Sequence, residues 1–320
     1  MFINNYAIGY VLLPLDDKGV CEEREIMIQD IKPRIFHNEF ANKEIGSRSK
    51  VILFSNRTVL IRRDADNILH LPEYGELPAE NDVADLEEYQ YIFSIDEEEY
   101  FLKKFSEREE NMDEIKGYAW ENVSTLRQME SKEICFAVMN AFQLYVWYRD
   151  NRFCGRCGKK LVHSDTQRML FCPECQNMVF PKVAPAVIVG VVQQNKILMS
   201  KYADREYKKY ALLAGFVEFG ETAEQTVQRE VYEEVGLNVK HIKYYKSQPW
   251  GIDSNLLLGY FAELDGSGDI TLDHQELAVA EWFEREAMPA HDDGISLTRE
   301  MMGFFGQKED FQKWYWKEKH

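Results

Sequence analysis

Residues 215–237 read GFVEFGETAEQTVQREVYEEVGL, and this stretch decides the fold of the C-terminal half of the chain. Its apolar residues recur at helical spacing and predict a helix over 222–235. Glu230, Glu233 and Glu234 stand at positions i, i+3 and i+4, so their carboxylates share one face of that helix. Unpaired, these charges would repel one another. A hard divalent cation such as Mg²⁺ or Mn²⁺, which prefers oxygen ligands, would relieve the repulsion.

The other residues of the same stretch support a metal site. Arg229 is placed to pair with Glu221 or Glu233 and to hold the acidic cluster in register. Gly215 and Gly220 are expected to let the preceding loop turn sharply. A charge run is ordinarily a solvated helix face. The flanking glycines, the embedded arginine and the fixed spacing argue against that interpretation here.

The spacing G-x5-E-x7-R-E-U-x-E-E-x-G-U, in which U is a bulky apolar residue, is the Nudix box, and the chain matches it at every specified position. The chain therefore resembles the Nudix hydrolases. The resemblance implies hydrolysis of a nucleoside diphosphate derivative by a water activated on Mg²⁺ or Mn²⁺. It makes Glu230 and Glu234 the leading metal ligands, with Glu233 and Glu221 in support. It also makes the backbone carbonyl of Ala214 a metal contact.

A further carboxylate outside this stretch is a candidate for the same site. Glu276 lies just before a predicted strand at 281–283. We interpret it as an additional metal ligand or as the general base. An ordinary loop carboxylate is an equally good interpretation.

Four of the six cysteines form the pattern CxxC-x14-CxxC: Cys154, Cys157, Cys172 and Cys175. Two CxxC turns place four thiolates at the corners of a tetrahedron that suits Zn²⁺, with no position left for a substrate water, so we predict one structural zinc. A redox function is less favoured because there are two such pairs and neither opens a βαβ unit. A metal site without a disulfide framework predicts a reducing compartment, the cytoplasm.

The order of an N-terminal domain, a four-cysteine ribbon and a Nudix domain resembles the NADH pyrophosphatase (NAD⁺ diphosphatase) subfamily. Residues 247–250 (SQPW) match the start of that subfamily's SQPWPFPxS motif, which marks nicotinamide dinucleotides. Residues 251–253 are Gly-Ile-Asp instead of Pro-Phe-Pro, and Asn255 replaces the last serine. The resemblance implies cleavage of NADH or NAD⁺ to nicotinamide mononucleotide and AMP. The substrate-contact candidates that it implies are Gln167, Phe180, Gln248, Pro249, Trp250, Asn255, Arg127 and Thr298.

Two other functions stay open at this point. The altered motif leaves room for another substrate, such as ADP-ribose, a dinucleoside polyphosphate or the NAD cap of an RNA. A non-catalytic nucleotide-binding adapter is the second alternative, and the intact glutamates argue against it. The formal net charge of −17 argues against broad binding of nucleic acid, so RNA would need a local basic patch.

The length of 320 residues predicts two domains with a small module between them. We predict a multidomain α+β chain with an N-terminal α+β domain, a zinc ribbon and a Nudix α/β/α sandwich. The apolar helix expected at 131–150, together with the habit of the family, predicts a homodimer. No apolar run is long enough to cross a membrane, and no signal peptide is expected. The predicted boundaries are 1–128 for the N-terminal domain, 129–150 for a connecting helix, 151–182 for the ribbon and 183–320 for the Nudix domain.

The hydrophobic pattern also predicts individual elements. Residues 51–54 and 59–61 should form a hairpin, and the acidic window 80–116 should be solvated helix and loop. The last 25 residues, 295–319, should be mainly helical. In the Nudix part, strands are expected at 186–192, 196–200, 238–245, 256–264 and 281–283.

Overall fold

The structure is a computed structural model that describes residues 27–77, 89–103, 115, 117–128, 131–203, 209–288 and 295–316. The helices are α1 (Lys132–Asp150), α2 (Ala223–Val235), α3 (Leu297–Gly306) and α4 (Lys308–Trp316). The strands before the ribbon are β1 (Phe36–His37), β2 (Lys50–Ile52), β3 (Phe54–Ser55), β4 (Thr58–Arg63), β5 (Leu69–His70), β6 (Tyr89–Ile95), β7 (Glu98–Lys103) and β8 (Ala119–Asn122). Those of the ribbon are β9 (Val162–His163), β10 (Leu170–Phe171) and β11 (Met178–Val179). The remaining strands are β12 (Ala184–Gln193), β13 (Lys196–Tyr202), β14 (Leu213–Phe216), β15 (Asn238–Trp250), β16 (Asn255–Asp265) and β17 (Leu277–Glu284).

The described residues of the N-terminal part form two small sheets. One has the strand order β1-β6-β7-β2, and in the other β4 pairs with β3, β5 and β8. The predicted hairpin is confirmed, because Phe54 of β3 pairs with Val59 of β4. The assignment of 80–116 to solvated helix and loop is wrong for β6 and β7, whose Phe93 and Tyr100 are buried. The acidic residues of this window are concentrated around the two strands, and residues 78–88, 104–114 and 116 lie outside the described part.

Helix α1 confirms the helix predicted at 131–150, and ten of its nineteen residues are buried. Its aromatic side chains pack on the N-terminal sheets, with Phe136 against Phe36 and Phe142 against Phe54. The chain itself therefore provides the burial that suggested a second subunit. The homodimer stays a prediction, and this helix no longer supports it.

A six-stranded mixed sheet organises the C-terminal half, in the order β15-β16-β12-β13-β17 with β14 alongside β12. Side chains alternate across β12. Val187, Val189 and Val191 pack under α2, whereas Ile188 and Val192 face α3 and α4. Both faces of the sheet are thus covered by helices, which confirms the predicted α/β/α sandwich. The predicted strands and the C-terminal helices are confirmed within the described residues.

Among the described residues, two contacts between the N-terminal part and the sandwich stand out. The Ile28 amide donates to the Ile295 carbonyl at 3.2 Å, beside a pair of glutamine side chains, Gln29 and Gln248. In addition, α1 packs against the short 3-10 helix Gly251–Asp253 that follows β15. Among the described residues, no helix combines the length and apolar character needed to cross a membrane.

Candidate active site

The side chain of Glu230 reaches from α2 to the strand β14. A Cβ added to Gly215 would lie 1.8 Å from Glu230 Cδ, so the carboxylate occupies the space that any larger residue would fill. The sharp turn expected at Gly215 is wrong, because this residue pairs with Val187 inside the sheet. At Gly220 the expectation is confirmed by a φ of +86°. The absence of a side chain at Gly215 therefore allows α2 and β14 to approach each other closely.

The guanidinium of Arg229 holds the other carboxylates. Nε and Nη2 donate to the two oxygens of Glu221 at 2.7 and 3.0 Å. Nη1 donates to Glu230 and to Glu233, each at 2.8 Å, and Nη2 also donates to the carbonyl of Phe216 at 2.9 Å. Pairing was predicted with Glu221 or Glu233, and it occurs with both. One arginine thus keeps three glutamates in register and ties them to β14.

Two of the three carboxylates bonded to Arg229, those of Glu221 and Glu230, differ in their electrostatics. The bidentate bond from Arg229, with further donors from Thr226 and the Glu218 amide, lowers the pKa of Glu221 to about 2. Burial raises the pKa of Glu230 despite its bond to Arg229, and the charges of Glu233 and Glu276 raise it further. A divalent cation beside Glu230 would offset both effects, so this donor fits the implied metal.

The remaining glutamates lie around Glu230 without forming a tight cluster. Glu276 lines the same cavity as Glu230, and the Glu234 side chain is buried, with its carbonyl accepting from the Asp273 amide at 2.9 Å. Within the described residues, only the four cysteines bring three or more ligand atoms within 4.8 Å of one another. The acidic side chains are therefore neighbours, but their carboxylate oxygens do not converge as closely as the sulfur atoms of the cysteines do.

A cavity of about 1020 Å³ opens beside Glu230. Ala186, Ile188 and Leu257 line it from the sheet, and Trp250 lines it from the end of β15. A pocket of this size, with apolar walls and a few convergent polar groups, is typical of small-molecule sites. The predicted site residues that line it are Ala214, Glu230, Trp250, Asn255, Glu276 and Thr298.

The four cysteines form a separate centre in the three-stranded ribbon. Their Sγ atoms lie within 4.8 Å of one another, with Cys154 to Cys175 at 3.5 Å and Cys157 to Cys172 at 3.4 Å. The Arg156 backbone N–H lowers the pKa of Cys154 to about 6 and favours the thiolate. Four sulfur donors at this spacing fit Zn²⁺.

Comparison with family models agrees with both centres. The model described as NUDIX domain matches residues 182–302, and the model described as NADH pyrophosphatase zinc ribbon domain matches residues 149–180. The chain thus has an NADH pyrophosphatase zinc ribbon domain followed in sequence by a Nudix domain. The Nudix match includes α2, β14 and the strands that line the cavity.

Curated relatives match a little under half of the chain. The protein named NAD-capped RNA hydrolase NudC from Escherichia coli O157:H7 is 40% identical over 147 residues, which are 46% of this chain and 57% of the relative. The protein of the same name from Enterobacter sp. (strain 638) is 41% identical over the same shares. The match thus spans little more than half the length of these relatives. A solved Nudix hydrolase from Nitrosomonas europaea is 24% identical, covering 49% of this chain and 92% of its own, with a TM-score of 0.43.

The structure places several predicted substrate contacts outside the cavity lining of the Nudix domain. Gln248 is fully buried, and its amide bonds to Gln29, the Ile295 carbonyl and the Leu297 amide at 3.0, 2.8 and 2.7 Å. Its side chain therefore joins β15 to the N-terminal segment and to α3. Pro249, next to it, is exposed.

Three more candidates lie away from the cavity or beyond the described side chains. Phe180, between ribbon and Nudix domain, is 52% exposed, so it does not pack into a core. Gln167 is exposed in a ribbon loop. Arg127 lies in the 3-10 helix Val123–Gln128, and its side chain is outside the described part. A contact to substrate stays a prediction for all three.

The cavity also contains polar residues that the sequence analysis missed. Tyr202, Asp253, Gln275, Ser296 and Arg299 line it together with the predicted residues. The departure of residue 253 from the subfamily motif was the one signal that could have singled out Asp253. The other four are brought in from β13, the loop before β17 and the start of α3, which no local pattern connects.

Proposed function

We propose that this chain hydrolyses the diphosphate of NADH or NAD⁺ to nicotinamide mononucleotide and AMP, with Mg²⁺ or Mn²⁺ as the catalytic cation. The proposal rests on the position of the Glu230 carboxylate. This carboxylate packs against Gly215, accepts a hydrogen bond from Arg229 and lines a cavity of 1020 Å³. The relatives named NAD-capped RNA hydrolase NudC support the NAD moiety as the recognised group.

Glu230, Glu234, Glu276 and the Ala214 carbonyl are the proposed metal donors, and the bound cation would neutralise the diphosphate and activate a water. Arg229 positions Glu230 and Glu233 and does not itself contact substrate. Glu276 lines the same cavity as Glu230, and it is proposed either as this further metal donor or as the general base. Trp250 is the proposed wall of the cavity against which the bound ring packs. Zinc, held by the four cysteines, stabilises the ribbon.

The NAD cap of an RNA is a second candidate substrate, because the named relatives act on it. The same scissile diphosphate would then enter with a polynucleotide attached. The formal charge of −17 opposes a long RNA, so we rank the free dinucleotide first. ADP-ribose and dinucleoside polyphosphates offer the same diphosphate without the nicotinamide ring.

The decisive experiment is product analysis by chromatography. NADH, NAD⁺, ADP-ribose, a dinucleoside polyphosphate and an NAD-capped oligoribonucleotide are incubated with Mg²⁺ and with Mn²⁺, and Glu230→Gln serves as the matched inactive variant. AMP plus the nicotinamide mononucleotide, formed fastest from a free dinucleotide, is expected. Faster release from ADP-ribose or the capped RNA would redirect the assignment. Binding without any product would favour the nucleotide-binding adapter.

We also propose a homodimer in a reducing, cytoplasmic environment. Phe180 and Phe216 are 52% and 55% exposed near the junction of ribbon and Nudix domain, and apolar surface of this kind suits an interface. None of the described cysteines forms a disulfide bond, which supports a reducing compartment. A monomeric mass by light scattering at micromolar concentration would refute the dimer.

A further inference from the structure

One end of the cavity, around Trp250, has an unusual chemistry. Trp250 is 7% exposed and lines the cavity, and its indole Nε1 donates to Asp253 Oδ2 at 3.1 Å. Asp253 lines the cavity as well. A carboxylate that accepts from the indole N–H adds negative charge beside a π-system whose face already attracts cations.

A second group in this region points to a ligand. Asn255 is 9% exposed, pairs with Trp250 across β15 and β16, and lines the same cavity. Its Oδ1 has no hydrogen-bond partner among the described residues. The primary amide of Asn255 carries both an acceptor oxygen and a donor N–H₂ group, and it therefore suits a ligand that itself carries a carboxamide.

The charges of the cavity favour a positive ligand at this end. The lining contains four carboxylates, Glu218, Glu230, Asp253 and Glu276, and one guanidinium, Arg299. A metal cation bound at Glu230 would compensate the carboxylates beside it, and Asp253 would remain uncompensated. Asp253 lies away from Glu230 along the sheet, because Asn255, two residues further on, pairs with Ala184, and Ala184 is three residues along β12 from the Val187 that pairs with Gly215. Three residues of strand span about 10 Å.

We propose that Trp250, Asp253 and Asn255 form a subsite that selects the positively charged ring of oxidised nicotinamide over the uncharged reduced ring. This inference rests on the proposed function, because it assigns the ring end of the same dinucleotide site. Trp250 stacks on the ring, Asp253 supplies the charge that distinguishes NAD⁺ from NADH, and Asn255 pairs with the carboxamide. Asp253 is thus the residue that sets specificity.

The test compares the ratio of kcat/KM for NAD⁺ to kcat/KM for NADH in the wild type and in Asp253→Asn. We expect the ratio to fall about fivefold, as is typical of losing one favourable cation contact. Asp269→Asn removes the same charge from an exposed position and is the matched control, in which the ratio should not change. An unchanged ratio in Asp253→Asn, with both substrates still hydrolysed, would overturn the inference and leave the proposed function standing.

A binding experiment tests the subsite separately from the proposed hydrolysis if no substrate is turned over. Oxidised and reduced nicotinamide mononucleotide are titrated by calorimetry into the wild type and into Asp253→Asn. Tighter binding of the oxidised form, lost in the variant, supports the subsite even if no dinucleotide is cleaved. Equal binding of both forms to the wild type would refute the subsite without bearing on hydrolysis.

Discussion

Replacing Gly215 by alanine tests the metal site with a single methyl group. The added Cβ would lie 1.8 Å from Glu230 Cδ and 2.0 and 2.2 Å from its two oxygens. Carbon atoms in contact are separated by about 3.5 Å, so the carboxylate has to retreat by about 1.7 Å. The strand cannot move instead, because Gly215 is paired with Val187 in the middle of the β12–β14 ladder.

The expected effect on activity is large and the effect on folding is modest. A displacement of about 1 Å in a catalytic group can cost about 100-fold in rate, so Gly215→Ala should lower kcat by at least about 100-fold. The retreat also strains the 2.8 Å bond from Arg229 to Glu230. Overpacking of this kind costs about 1–3 kcal/mol of stability, which leaves a chain of this size folded.

The assay is a titration of Mg²⁺ and of Mn²⁺ at saturating substrate, with kcat and the apparent metal affinity as readouts and thermal unfolding alongside. Gly303→Ala on α3 is the matched control, because nothing lies within 4 Å of the added methyl group. If Gly215→Ala kept more than about one tenth of the wild-type kcat and the same metal affinity, Glu230 would not be a metal ligand in the position described here.

Three further perturbations test other parts of the structure. Cys172→Ser should abolish zinc binding and lower the melting temperature, because the ribbon has three short strands and little core of its own; an unchanged melting temperature in the zinc-free variant would contradict this. Gly251→Ala would place a Cβ 2.0 Å from a backbone carbonyl of α1 and should lower the free energy of unfolding, measured in urea, by about 1–3 kcal/mol. Equal urea midpoints for the variant and the wild type would refute the close packing of residue 251 against α1. The Glu73 amide and the Tyr118 hydroxyl lower the pKa of Glu76, so its stabilising effect is complete above its ordinary pKa of about 4.3 and disappears as the pH falls through the lowered value. Glu76→Gln should therefore show a weaker loss of stability in acid than the wild type, and identical acid unfolding curves would count against the contact.

The parts of the fold that the sequence predicts are those specified by local patterns. The start and end of α2 follow from the capping box of Thr222 with Gln225 and from the left-handed Gly236. The β12–β13 hairpin follows from two apolar runs around a polar turn. The zinc centre follows from cysteine spacing alone, because the four ligands lie within 22 residues.

The parts that the sequence misses depend on contacts between distant residues. β2 pairs in parallel with β7, so Lys50 lies beside Tyr100, and no local signal connects two positions 50 residues apart. The strand character of β6 and β7 was missed because acidic residues surround both segments, although the strands themselves are rich in aromatic and β-branched residues, which favour strands. Gly215 shows the same limitation, since only the packed structure reveals that Glu230 needs its missing side chain.

Two of the departures from the dinucleotide motif, Gly251 and Asp253, act together in this fold. Gly251 has no side chain, and this allows the carbonyl of Met139 in α1 to approach where a Cβ would lie at 2.0 Å. A proline or any other side chain at this position would push the 3-10 helix Gly251–Asp253 away from α1, and Asp253 would move with it. The carboxylate can therefore accept from Trp250 and face the cavity only while the N-terminal part is docked. Restoring proline at 251 alone should consequently disturb the same NAD⁺ to NADH ratio that Asp253→Asn changes, because the charge would be kept but displaced from the ring.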